Sequence, residues 1–168
     1  MPVKKAKRHQ SLIPLSREHH YALMLCLRIN RGLTDNSKSP EWLQEKSGQV
    51  SRFFQSDLVA HFKAEEEVVF PAMHEIAEAR ALILELCEDH RRLENLVQQI
   101  VSADSSSLAE KLREFAGVLE AHIRKEERLL FPLYEKEAAA LNVDQVERDV
   151  LSIVGTALEP KNAESFEP

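Results

Sequence analysis

The sequence predicts an all-α protein: an antiparallel up-down four-helix bundle with a short extra C-terminal helix. Three observations carry this. Apolar residues recur at helical spacing through long segments, which is the pattern of helices that bury one face. Glycine is scarce, 4 among 168 residues, so the periodic runs are seldom interrupted. The chain also repeats itself, and each half reads as a pair of helices joined by a short connection.

Taken in order, the basic start, MPVKKAKR, opens an arm over residues 1–11 that is expected to be flexible. The folded part is placed at 12–158. Its first helix is expected from Ser16, a suitable N-cap, to Arg31, where Gly32 would stop it before a loop, LTDNSKS. Ser39 and Pro40 mark the start of a second helix. It should run to Phe70, where Pro71 removes a backbone donor and should kink or break it. A third helix is expected over 78–101, with Leu82, Leu86, His90, Leu93, Val97 and Ile100 on one face. SADSSS forms the next loop. The fourth helix covers 106–138 and carries Pro132. A fifth, at 143–156, is amphipathic through Val143, Val146, Val150, Leu151 and Val154, and is expected on the outside of the bundle. Residues 159–168 are left as a flexible tail.

The repeat is the main organisational feature. HFKAEEEVVFPAM at 61–73 aligns with HIRKEERLLFPLY at 122–134, and REHHYALML at 17–25 aligns with EDHRRLENL at 88–96. Residues four apart lie on one helix face. His61 and Glu65 therefore point the same way, as do His122 and Glu126. Their faces are otherwise apolar, with Phe54, Leu58 and Val68 near one pair and Phe115, Leu119 and Leu129 near the other. A buried carboxylate without a partner is costly, so it is paired or holds a cation. His90 lies on an apolar face of the third helix. The repeat makes His19 its counterpart, with His20 as the competing choice. Four imidazoles and two carboxylates exceed what one tetrahedral zinc needs. They can hold two divalent ions with both glutamates bridging, and this donor mixture suits iron, manganese or zinc.

Considered singly, several of these residues have plainer readings. His90 alone would be a satisfied core histidine. His9 and His74 read as solvent or outer residues. Glu66, Glu67, Glu127 and Arg128 read as a solvated face with some hydrogen bonds toward the site. Phe70 and Phe131 read as structural, and Tyr21 and Tyr134 as weak candidates for hydrogen-bond donors near the metals.

The order H…HxxxE…H…HxxxE, with Phe-Pro after each HxxxE, resembles the hemerythrin-like (HHE) cation-binding family over about residues 12–138. The resemblance implies a four-helix bundle holding non-haem di-iron, oxo- or hydroxo-bridged, with zinc or manganese ranked behind iron. It implies His19, His61, Glu65, His90, His122 and Glu126 as ligands. One departure stands out: oxygen-carrying members have a second histidine four residues after the third-helix histidine, and here that position is Glu94. Glu94 is either a seventh ligand, favouring ferric iron over reversible oxygen carriage, or a surface glutamate.

The functions this implies are sensing, storage or stress response toward oxygen, peroxide, nitric oxide or iron. The alternatives are a di-iron enzyme consuming peroxide or nitric oxide, and an interaction module with a structural metal. Ferritin-like chemistry fits poorly, because none of the 7 histidines has a glutamate three residues before it. Nucleotide-binding glycine motifs and a nucleophile elbow are absent. A net charge of −6 argues against a nucleic-acid partner. No apolar run reaches the roughly 18 residues of a membrane helix. Cys26 and Cys87 form no CxxC pair and are expected to stay reduced, in keeping with a cytoplasmic protein. A homodimer or a protein partner would be served by the fifth helix.

Overall fold

The structure is a computed structural model that describes residues 7–34 and 39–155. The tail, most of the basic arm and the centre of the first loop lie outside the described residues. Among those described, every regular element is helical and no strand occurs.

A 3-10 turn, Gln10–Leu12, leads into α1, Ile13–Thr34. The second helix, α2 (40–72), is built from Pro40–Phe53, Val59–Ala64 and Phe70–Ala72, joined by π turns at Phe54–Leu58 and Glu65–Val69. Helix α3 is Ala77–Ser102. Helix α4 (108–137) joins Leu108–Lys125 to Phe131–Glu137 through a π turn at Glu126–Leu130. Helix α5 is Val143–Val154, and Gly155 closes it at φ 84°, a conformation that favours glycine.

Several of these boundaries differ from the expectation for physical reasons. The end of the expected arm packs on the bundle: Arg8 hydrogen-bonds Ser16 and Glu135, and Ser11 is fully buried. Ser16 lies inside α1 rather than capping it, and its hydroxyl donates to Glu127 at 2.6 Å. Gly32 does not stop α1. A Cβ there would fall 2.0 Å from Cζ2 of Trp42, so this glycine is the notch that lets the indole pack against the helix. Ser39 caps α2 as expected, accepting from the Trp42 amide. Neither proline breaks its helix. In each half a π turn absorbs the missing donor, with Phe70 N–H reaching the Glu65 carbonyl and Phe131 N–H reaching that of Glu126. Both wide turns begin at the glutamate of HxxxE and end just before Phe-Pro.

Two apolar cores fill the interior. One is formed by Leu25 and Ile29 of α1, Leu43 and Val50 of α2, Leu93 and Ile100 of α3, and Leu112 and Phe115 of α4, with their neighbours. The other takes Leu15 of α1, Val69 and Phe70 of α2, Leu86 of α3 and Leu130 of α4. Helix α5 packs against the long helices as expected, and its buried face joins this second core. Val146, Val150 and Val154, spaced to share one face, are buried with Leu12, Leu15 and Tyr134. In each of the four long helices the buried histidines and glutamates lie where residues of one core give way to those of the other. The result is a thin polar layer across an otherwise apolar interior.

Candidate metal centre

Six of the seven predicted residues meet in that layer. His19 (3% exposed), His61 (2%), Glu65 (0%), His90 (3%), His122 (1%) and Glu126 (0%) are all buried. They form two groups, His19–His61–Glu65–Glu126 and Glu65–His90–His122–Glu126, whose ligand atoms lie within 4.8 Å of one another. Both glutamates belong to both groups. Glu65 turns Oε1 toward His61 Nε2 at 3.0 Å and Oε2 toward His90 Nε2 at 3.2 Å. Glu126 Oε2 lies 3.0 Å from His19 Nε2 and 3.3 Å from His122 Nε2.

His20 and Glu94 are not part of it. Both are exposed, and neither belongs to either group. For Glu94 the reason is packing. The turn that follows His90 runs into Leu93, Leu96 and Val97 of the first core, where a carboxylate would find no partner, so Glu94 rotates to solvent. Among the other residues considered, His74 is exposed, and Tyr134 bonds Ser11 Oγ at 2.9 Å through its hydroxyl.

Each histidine presents Nε2 inward and Nδ1 outward, and an outer carboxylate faces each Nδ1. His19 Nδ1 pairs with Glu127 at 2.8 Å, His61 with Glu18 at 2.7 Å and His90 with Glu66 at 2.7 Å, while His122 faces Asp89 at 3.5 Å. The pattern follows the repeat. Glu18 and Asp89, each just before the first histidine of its half, face the second histidine of the same half. Glu66 and Glu127, each just after the shared glutamate, face the first histidine of the other half. Sequence reading had noticed Glu66 and Glu127 but missed Glu18 and Asp89. Their signal was an acidic residue directly before His19 and His90 in the aligned segments. Phenyl rings repeat the crossing, since Phe131 stacks on His19 and Phe70 on His90, and Phe62 lies 3.9 Å from the His90 ring at 14°.

The charges respond to this arrangement. Burial alone would depress the His61 imidazole, but Glu65 and Glu18 outweigh it and hold it well above the usual range. His122 is likewise opposed by burial and raised to about 10 by Glu126 and Asp89. Burial would push Glu65 up, yet His61 and His90 hold it well below the usual carboxylate range. Glu127 falls to about 2 against its partial burial, through His19, Ser16 and Arg8.

The layer fits a pair of cations better than a set of internal hydrogen bonds. Both carboxylate oxygens of Glu65 and of Glu126 are buried without a hydrogen bond, as are Nε2 of His90 and of His122. Such orphaned groups are expensive in an apolar interior. With Nδ1–H donating outward, the Nε2 atoms of His19 and His61 turn lone pairs toward each other across 3.1 Å, a contact that requires a proton or a cation between them. Two donors about 2.1 Å from one ion and at right angles to each other stand about 3 Å apart, close to the spacings seen here. Glu65 faces both histidine pairs, one oxygen to each.

Comparison with known proteins agrees with the geometry. The profile of the hemerythrin HHE cation binding domain matches residues 14–134, and a second, overlapping match covers 83–150. A DNA nickase of Nostoc sp. (strain PCC 7120 / SAG 25.82 / UTEX 2576) is 28% identical over 111 residues. The aligned part is 65% of this chain and 30% of that protein, so the chain spans well under half of its relative's length. No solved structure matches. The histidine–glutamate layer and a profile match across most of the chain lead to one assignment: the chain belongs to the hemerythrin HHE cation-binding domain family.

Proposed function

We propose that this chain holds a dinuclear non-haem iron centre and uses it to sense, store or respond to oxygen, peroxide, nitric oxide or iron. The observation that carries the proposal is the sharing of Glu65 and Glu126 between two histidine pairs, with all four of their carboxylate oxygens buried and lacking hydrogen bonds. His19 and His61 would hold one ion, His90 and His122 the other, and the two glutamates would bridge them. When bound, such a pair supplies one-electron redox steps and coordination of small oxygen or nitrogen ligands.

The chain's own residues supply the setting. The outer carboxylates keep a proton on Nδ1 of the histidines they reach and leave Nε2 free for the ion. Phe62, Phe70 and Phe131 stack against the imidazoles, and the apolar cores on both sides exclude water. Burial this complete suits a diatomic or similarly small ligand rather than a bulky substrate. We further read the long helices as an antiparallel up-down bundle. Helices α1 and α3 run from the second core to the first, and α2 and α4 run the opposite way. Free Cys26 and Cys87 are in keeping with a reducing, cytoplasmic setting.

An enzyme that consumes peroxide or nitric oxide would use the same residues and is separated from a sensor by multiple turnover. DNA nicking is not part of the proposal, because a net charge of −6 and a ring of outer carboxylates oppose a phosphate backbone. The test is anaerobic reconstitution with ferrous iron, metal analysis and an optical spectrum after oxidation. Two irons per chain with near-ultraviolet absorption are expected, and the absorption is lost in Glu65→Gln. A single zinc per chain, or folded protein that takes up no metal, would overturn the proposal.

A further inference from the structure

Although the repeat makes the two halves of the layer look equivalent, their outer carboxylates are not. Around His19 and His61 both imidazoles are firmly held. Glu127 uses one oxygen, Oε1, to accept from His19 Nδ1 at 2.8 Å and from Ser16 at 2.6 Å, and gives its other oxygen to Arg8. The cation therefore steadies Glu127 without taking the atom that holds the histidine. Glu18 accepts from His61 Nδ1 at 2.7 Å.

Around His90 and His122 the support is thinner. Glu66 reaches His90 at 2.7 Å, but its side chain is 43% exposed. Asp89 is the weak member. Its Oδ2 lies 2.7 Å from Lys125 Nζ and 3.5 Å from His122 Nδ1, so one oxygen faces both groups and the lysine takes it. His122 Nδ1 is left buried without a hydrogen bond. Lys125 comes from the same half of the repeat as His122. Its counterpart in the first half is Ala64, which has no charge to draw Glu18 away from His61.

We propose that Lys125 is a positioning residue that pulls Asp89 off His122 and thereby makes the His90–His122 position the weaker and more labile of the two metal sites. An imidazole whose Nδ1–H meets a carboxylate is both oriented and more basic, and losing such a partner typically costs about 10–100-fold in metal affinity. The inference rests on the dinuclear reading and makes it asymmetric. One cation is retained at His19–His61, and a second exchanges at His90–His122.

The test is titration of metal-free full-length protein with zinc against a chromophoric chelator, which reads affinities without reference to activity. Two steps separated by about 10–100-fold are expected. His122→Ala should remove the weaker step and keep the tighter, whereas His61→Ala should remove the tighter. Lys125→Gln frees Asp89 and should narrow the gap by strengthening the weaker step alone, while Lys125→Arg should preserve the gap. A merely structural role for Lys125 would shift both steps together. Wild-type steps of equal affinity would overturn the inference, as would a Lys125→Gln gap unchanged from wild type. Either result would leave the dinuclear reading standing, which falls only if wild-type protein takes up fewer than two ions. The wild-type and histidine titrations decide the asymmetry even if the lysine variants do not fold.

Discussion

Substituting Glu65 with glutamine removes one charge and almost no volume from the centre of the layer, yet it touches both histidine pairs. Metal-dependent stabilisation should therefore vanish in Glu65→Gln, whereas His19→Ala should retain the His90–His122 contribution. A ligand that binds only the folded state adds RT ln(1 + [L]/Kd), about 2.7 kcal/mol at a free concentration one hundred times Kd. With free metal one hundredfold above the weaker Kd, two positions add about 5.5 kcal/mol or more. For a chain of 168 residues, each kcal/mol moves the melting temperature by about 2–4 °C. The wild-type increment between metal-free and loaded protein should thus be roughly 11 °C at least, that of His19→Ala roughly 5–11 °C, and that of Glu65→Gln close to zero. The assay is thermal unfolding followed by circular dichroism in metal-buffered solutions. Because each variant is compared with its own metal-free form, any change in metal-free stability cancels. A wild-type increment near zero, or a Glu65→Gln increment equal to that of wild type, would refute the account of Glu65 as the shared bridge.

Other outcomes follow from the same structure. Gly32→Ala gains about 1 kcal/mol of helix propensity but drives a methyl into Trp42, and overpacking of that kind costs about 1–3 kcal/mol, so urea denaturation should show net destabilisation of up to about 2 kcal/mol rather than the usual gain. His61 and His122 have raised pKa values and hold protons near neutrality in metal-free protein, and a cation needs their Nε2 lone pairs. Loading should therefore release protons, and apparent affinity should rise with pH as these groups deprotonate, for His122 toward about 10. Calorimetry in buffers of different ionisation enthalpy reads that release, and identical heats in every buffer would contradict it. Glu94→Gln should leave metal count and affinity unchanged, because the side chain is in solvent; a lost or weakened metal would return Glu94 to the ligand set.

Much of the site was legible because the repeat made weak signals corroborate one another. A lone histidine on an apolar face says little, but His-x-x-x-Glu placed twice at matching offsets, each followed by Phe-Pro, marks a face that must be buried and compensated. That was enough for the helices and for bringing six of the seven proposed residues, with His19 rather than His20, into one buried layer. Glu94 stayed open between ligand and surface residue because spacing along one helix cannot show what the neighbouring helices place at that level, and they place an apolar core there. Gly32 was read as a stop because the close approach of Trp42 comes from another helix. Pro71 was read as a kink or break because π turns are not visible as a sequence period.

Sequence by itself determined which residues could share a face, since helical periodicity is a local property of the backbone and survives any arrangement of neighbours. Only tertiary structure decided which faces meet. It crossed Glu66 and Glu127 to the histidines of the opposite half, drew α5 into the second core, and set Lys125 against His122 for a single oxygen of Asp89. Those outcomes depend on distances of a few ångströms between helices far apart in the chain, and no local pattern encodes them.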